Sequence, residues 1–180
     1  MFRNFKADIH RHIDGASLNE KIYVIFEQGL WAIAAYRFSR WARTIKIPIV
    51  DLILKVIASL LFKLMEIITG ISLPASADIG PGFYVGHFGY CIVHSNVKMG
   101  AHCSIGPGVV IGTQGLGEKG VPTLGDNVYV GSGAKILGDI KIGNNVRIGA
   151  NAVVIHDVVS GSTVVGIPAK VVTTDKQGNT

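Results

Sequence analysis

Apolar residues recur at a fixed interval of six in the C-terminal half of the chain: Leu124, Val130, Ile136, Ile142, Ile148 and Val154. Six is neither the helical period near 3.6 nor the strand period of two, so each repeat must be a short extended piece plus a corner. The chain is expected to coil. Glycine follows in Leu124-Gly125, Val130-Gly131, Ile142-Gly143 and Ile148-Gly149, where a corner needs either a positive φ or a close approach of backbone. Four residues after each repeat position stand Val128, Ala134, Ile140, Val146 and Ala152, small or β-branched side chains that suit flat, stacked strands.

The same period appears upstream in two shifted pieces, Ile79-Gly80 with Val85-Gly86, then Met99-Gly100, Ile105-Gly106 and Ile111-Gly112. Two interruptions result. The first lies between Val85 and Met99 and shifts the register by two residues; the second, from Thr113 to Thr123, holds Gln114, Gly115, Leu116, Gly117, Glu118, Lys119 and Gly120. Insertions in a solenoid become loops on one face, and such loops carry function.

The N-terminal part has a helical pattern instead. Residues 1 to about 19 read as a polar, loosely ordered lead-in. Residues 20–44 read as a helix with Ile22, Ile25, Phe26, Leu30, Ile33 and Ala34 on its apolar side. Arg37, Arg40 and Arg43 lie close to one face near its C-terminus, where cations suit the helix dipole. A second helix follows Pro48, from about Ile49 to Thr69, and Gly70 stops it. Its polar residues Asp51, Lys55, Ser59, Lys63 and Glu66 form one narrow stripe, so it is expected to bury most of its circumference. A helical hairpin or other subunits would cover it; the alternative is peripheral contact with a membrane interface, helped by Trp31, Trp41 and the three arginines. Four charges within about 20 residues argue against a span. The division expected is a helical region at 1–70, a solenoid domain at 71–172 and a polar tail at 173–180.

Composition narrows the class. With 180 residues and 48% hydrophobic content the chain can bury a core. A net charge of +5 suits an anionic ligand or anionic membrane surface, but the basic residues are scattered and no base-stacking module is present, so nucleic acid is not implied. Cys91 and Cys103 are too few and too far apart for a disulfide framework or a metal site, and read as buried thiols in a reducing compartment. The start, MFRNFKADIHRHIDG, lacks the apolar run of a signal peptide, which points to the cytoplasm.

With the hexapeptide repeats, the helical N-terminal region and Gly166-Ile167-Pro168-Ala169-Lys170 in view, the chain resembles the left-handed β-helix acyltransferases. Within them it is most similar to serine O-acetyltransferases and to their relatives that acetylate surface-polysaccharide sugars. GSGAKILGDIKIGNNVRIGANAVV, residues 131–154, carries most of the likeness, together with Ala35-Tyr36-Arg37. The resemblance implies a mainly β, left-handed parallel β-helix preceded by helices, a homotrimer with sites between subunits, acetyl-CoA as co-substrate and no metal.

It also implies residue roles. Of the six histidines, His87 aligns with the family's general base, a task suited to a group titrating near working pH. The small residues beside the pantetheine arm correspond to Ser132 and Ala150, the terminal basic residue to Lys170, and the acetyl end is bordered by Gly112 and Thr113. Two departures stand out. The family's aspartates, one before the histidine and one fifteen residues earlier, correspond to Gly86 and Ser72. Its Arg-His pair, which holds the carboxylate of serine, corresponds to Gly120 and Val121. On that ground the acceptor is expected to be a sugar hydroxyl in surface-polysaccharide biosynthesis, the alternatives being serine in cysteine biosynthesis or a non-catalytic trimeric scaffold.

Overall fold

The computed structural model describes residues 2–15, 17, 22–115, 117 and 120–174. Among the described residues α1 (Phe2–Ile13), α2 (Gln28–Ala42) and α3 (Pro48–Thr69) come first, with a 3-10 turn at Val24–Phe26. Short strands, numbered in chain order, then wind around a three-faced prism. The first face holds β1 (Ile71–Ser72), β4 (Cys91–Val93), β7 (Val110–Gly112), β10 (Lys135–Leu137) and β13 (Val153–Val154). The second holds β2 (Asp78–Ile79), β5 (Lys98–Met99), β8 (Thr123–Leu124) and β11 (Lys141–Ile142). On the third are β3 (Tyr84–Val85), β6 (Ser104–Ile105), β9 (Tyr129–Val130), β12 (Arg147–Ile148) and β14 (Ser162–Val165), closed by the antiparallel β15 (Lys170–Thr174). All other pairings are parallel, as a coil stacked on itself requires.

The repeat residues point inward and fill the prism. Val85, Ile105, Ile111, Val130, Ile136 and Ile148 are all buried. The two corner devices divide between positions. At corners such as Gly131 glycine follows the repeat residue because the next coil passes too close: a Cβ there would lie 2.7 Å from the Ala150 nitrogen. The positive φ falls two residues further on, at Asn127, Gly133, Asn145 and Asn151, where asparagine is the side chain that tolerates it best.

Both register breaks are real insertions at corners. Ile92 pairs with Val110, eighteen residues on, but Ile71 pairs with Cys91, twenty on. Lys98 pairs with Thr123, twenty-five on. The loops are therefore 86–90, between the third and first faces, and 113–122, between the first and second.

The helical region departs from expectation in four ways. The polar lead-in is the helix α1, whose Asp8 is fully buried and whose His12 is nearly so; polarity misled because the buried side chains are themselves charged or polar. The helix expected at 20–44 is broken at Glu27: Ile22 and Tyr23 are helical, Val24–Phe26 form the 3-10 turn and α2 starts at Gln28, with Ile22, Ile25 and Phe26 exposed. Arg37 and Arg40 are neither free nor dipole partners: they close the top of the prism. Arg37 donates to Asp8 (2.8 and 3.1 Å) and to the carbonyls of Ile79 and Gly80 (both 2.6 Å). Asp8 also accepts from the Phe83 N–H (2.9 Å), and the Tyr36 hydroxyl donates to the Ala77 carbonyl (2.8 Å) while accepting from the Ile79 N–H (3.0 Å). The open end of the first coil is thus satisfied by side chains of α1 and α2, as buried backbone groups must be. Helix α3 ends as expected, with Gly70 at φ 68°, yet only Ala58 and Thr69 in it are buried. Its broad aliphatic side faces outward.

Candidate active site

The edge joining the third face to the first is formed on successive coils by residues 86–90, 106–109, 131–134, 149–152 and 166–169. His87 sits exposed in the uppermost of these. Its loop is pinned to the end of α3: the Gly89 N–H donates to the Thr69 carbonyl and the Cys91 N–H to that of Gly70, both at 2.9 Å. Gly89 has φ 121°, a conformation that only glycine adopts readily. Phe88 and Tyr90 flank the histidine and are exposed as well. Among the described residues nothing hydrogen-bonds to the imidazole ring.

Of the two positions where the resemblance implies aspartates, Gly86 offers no side chain and Ser72 is engaged elsewhere. Its hydroxyl donates to Glu66 (2.6 Å), which also accepts from Lys63 (2.6 Å). Burial pushes the Glu66 carboxyl upward, but the hydrogen bonds from Lys63 and Ser72 outweigh it, and its pKa lies below the usual glutamate value. An ionised carboxylate is thereby held at Ser72.

Ser132 and Ala150 are exposed neighbours on the edge that carries His87, with the Asn151 N–H donating to the Ser132 carbonyl (2.8 Å). Three coil spacings, roughly 14 Å, separate Ala150 from the level of His87. Lys170 is exposed just beyond the last turn of this edge and pairs with Val165. Gly112 and Thr113 are not with them. Gly112 ends β7 opposite Leu137, and Thr113 opens the second loop, so both lie at the opposite edge of the first face.

The second loop shows why a carboxylate clamp is missing from its expected positions. A Cβ on Gly120 would lie 2.4 Å from the Cβ of Asp139, so this backbone excludes an arginine there. Val121 packs on the core. Leu116, Glu118 and Lys119 lie outside the described residues.

The other histidines have different surroundings. His94 accepts a hydrogen bond at Nδ1 from the Asn96 N–H (3.2 Å); His102 occupies a corner at φ 57°; His12 is buried against Tyr84, with its Nδ1 bonded to the Asp8 carbonyl (2.8 Å). Both thiols are buried, and burial pushes Cys103 up to about 11 and Cys91 upward in the same direction. Among the described residues no group of three potential metal ligands comes together. Sequence reasoning missed the cluster of Asp8, Tyr36 and Arg37; the one available signal was an arginine following a tyrosine within an apolar helix.

Comparison with known proteins bears on the same residues. Residues 122–156 match the model of the bacterial transferase hexapeptide family, six repeats. A serine acetyltransferase of Synechococcus elongatus is 37% identical over 175 residues, 96% of this chain and 69% of that protein. One from Helicobacter pylori strain J99 is 37% identical over 164 residues, covering 91% and 92%. Among solved structures, Neisseria gonorrhoeae serine acetyltransferase superposes with a TM-score of 0.84 at 30% identity, over 98% of this chain and 68% of that one. A serine acetyltransferase in complex with CoA gives 0.80 at 27% identity, over 94% and 68%. The prism is accordingly a left-handed parallel β-helix. These matches overturn the expectation of a surface-polysaccharide sugar as acceptor: the likeness runs through the helices and the coils together, while the departure at Gly120 and Val121 is confined to one loop. By sequence and by fold, the chain belongs to the serine acetyltransferase family of hexapeptide-repeat transferases.

Proposed function

We propose that the chain is an acetyl-CoA-dependent serine O-acetyltransferase, acting in cysteine biosynthesis as a homotrimer. The observation that carries this reading is the extent of the likeness to the Helicobacter pylori enzyme, 92% of whose length is matched, helical region included. Self-association is supported by the outer surface of the prism. The second face turns Asp78, Lys98, Thr123 and Lys141 to solvent, whereas the first carries the half-buried Ile92, Val110 and Val153. Because His87 and Thr113 lie on opposite edges of that first face, they meet only when the edge of one prism faces that of a neighbour.

In this reading the donor supplies an activated acetyl thioester, whose arm runs along the edge past Ser132 and Ala150 with Lys170 near its phosphates. His87 accepts the proton of the serine hydroxyl as that oxygen attacks the thioester carbonyl carbon. The carbon–sulfur bond then breaks, and the departing thiolate takes the proton back from His87. Backbone N–H groups at the glycine-rich corners are suited to the oxyanion.

Thiol release from acetyl-CoA in the presence of L-serine, with O-acetylserine identified by mass, tests the assignment. Serine-independent thiol release, with no O-acetylserine formed, would overturn it.

A further inference from the structure

Helix α3 is built inside out for a free surface. Its contact with α2 is made by the side bearing Leu54, Ala58, Leu61, Met65 and Thr69, which are less exposed than their neighbours. The opposite side presents Ile49, Ile53, Val56, Leu60, Leu64 and Ile67, each between 47% and 81% exposed. With Val50, Leu52, Ile57 and Ile68 these span roughly 160° of the circumference, along a helix about 33 Å long. Solvent-facing helices carry the reverse pattern, and a face this wide and continuous marks an interaction surface.

A second, independent feature adjoins it. Between α2 and α3 lies a cleft of about 650 Å³ lined by Arg43, Lys46, Lys55, Lys63, Ser59 and Phe62, among others. Asp51 pairs with Lys55 (2.7 Å) and Glu66 with Lys63 (2.6 Å). Arg43 and Lys46 have no carboxylate within 4 Å among the described residues. The cleft thus keeps a positive surplus, and Lys63 stands on the ridge between it and the aliphatic side.

We infer that α3 docks the protein on an anionic phospholipid bilayer, lying in the plane of the interface. The aliphatic side enters the acyl boundary while lipid phosphates occupy the cleft at Arg43 and Lys46. The helix is not long and apolar enough to cross: no helix among the described residues is. A polar rim with cations at one flank and a wide aliphatic belly is the form of an interfacial helix. A helix of a second copy would cover only a narrow seam of that belly. This inference does not rest on the acceptor being serine.

Co-sedimentation of the full-length protein with phosphatidylcholine vesicles, with and without phosphatidylglycerol, tests it. The expected result is binding to the phosphatidylglycerol vesicles at low salt and release at high salt. Each of Arg43→Gln and Lys46→Gln should weaken binding by about fivefold, Lys46→Arg should restore it, and Leu60→Glu should abolish it. All three positions face outward or into the cleft, so circular dichroism and thermal melting should match wild type. Failure of the wild-type protein to bind anionic vesicles overturns the inference. So does wild-type binding by Leu60→Glu, or a reversible association of copies that Leu60→Glu abolishes while vesicles are ignored.

Discussion

Asp8 and Arg37 form a two-pronged ion pair, Nε to Oδ2 at 2.8 Å and Nη2 to Oδ1 at 3.1 Å, with Asp8 fully buried and Arg37 nearly so. The pair is further bonded to the first coil, through Phe83, Ile79 and Gly80. Removing one partner leaves a buried charge without its counter-ion, which costs about 3–5 kcal/mol. Asp8→Ala and Arg37→Ala should each lower the midpoint of urea unfolding by that equivalent. Arg37→Lys should restore little, since an ammonium cannot reach two carbonyls and a carboxylate together.

His87 is exposed, and nothing among the described residues hydrogen-bonds to its ring, so it contributes little to folding. His87→Ala should leave thermal unfolding unchanged while lowering kcat by about 10²- to 10⁴-fold. A loss of stability in step with activity would assign the residue a structural role instead.

Glu66 offers a test that combines charge and pH. Its carboxyl is depressed, so the stability it contributes is present above the ordinary glutamate range and is lost as pH falls through its lowered pKa. Glu66→Gln should therefore be less stable than wild type near neutrality, and the two should converge in acid.

On the proposed function, serine binds without help from positions 120 and 121. Loss of a charge-assisted carboxylate contact weakens binding by up to about two decades. The KM for serine should therefore be high, and serinamide, which lacks the carboxylate, should lose little by comparison. Gly120→Ala should be destabilised by about 1–3 kcal/mol through its clash with Asp139, and Asp139→Gly should relieve it.

Cys103, raised from 9.0 to about 11 chiefly by burial, stabilises the fold as a neutral thiol. That contribution is complete below the unfolded value and is lost as pH rises between about 9 and 11. At neutral pH neither Cys103 nor Cys91 should react with iodoacetamide until urea unfolds the chain; rapid labelling of the native protein would contradict their burial.

The solenoid was legible because its inward residues are uniformly apolar and its period cannot arise from a helix or a flat sheet. Both interruptions could be placed for the same reason. Helix α1 could not be read, because the residues it buries, Asp8 and His12, are those that a hydropathy pattern assigns to solvent. The outward turn of α3 was also hidden: a narrow polar stripe fixes which side is polar, not which of two apolar sides meets α2. His87 was found by alignment, yet its setting was not, since the Ser72–Glu66 bond joins residues from a helix and a strand whose neighbourhood only the folded chain defines.

The corners of the prism have a further consequence. β7 pairs with β10 across twenty-five residues as regularly as β4 pairs with β7 across eighteen, so seven residues are added to the coil without disturbing the one above or below. Length and chemistry at 113–119 can drift while every stacked ladder stays in register. Acceptor preference and structural integrity are thus uncoupled in this architecture, and exchanging that one segment between relatives should transplant selectivity onto an unaltered scaffold.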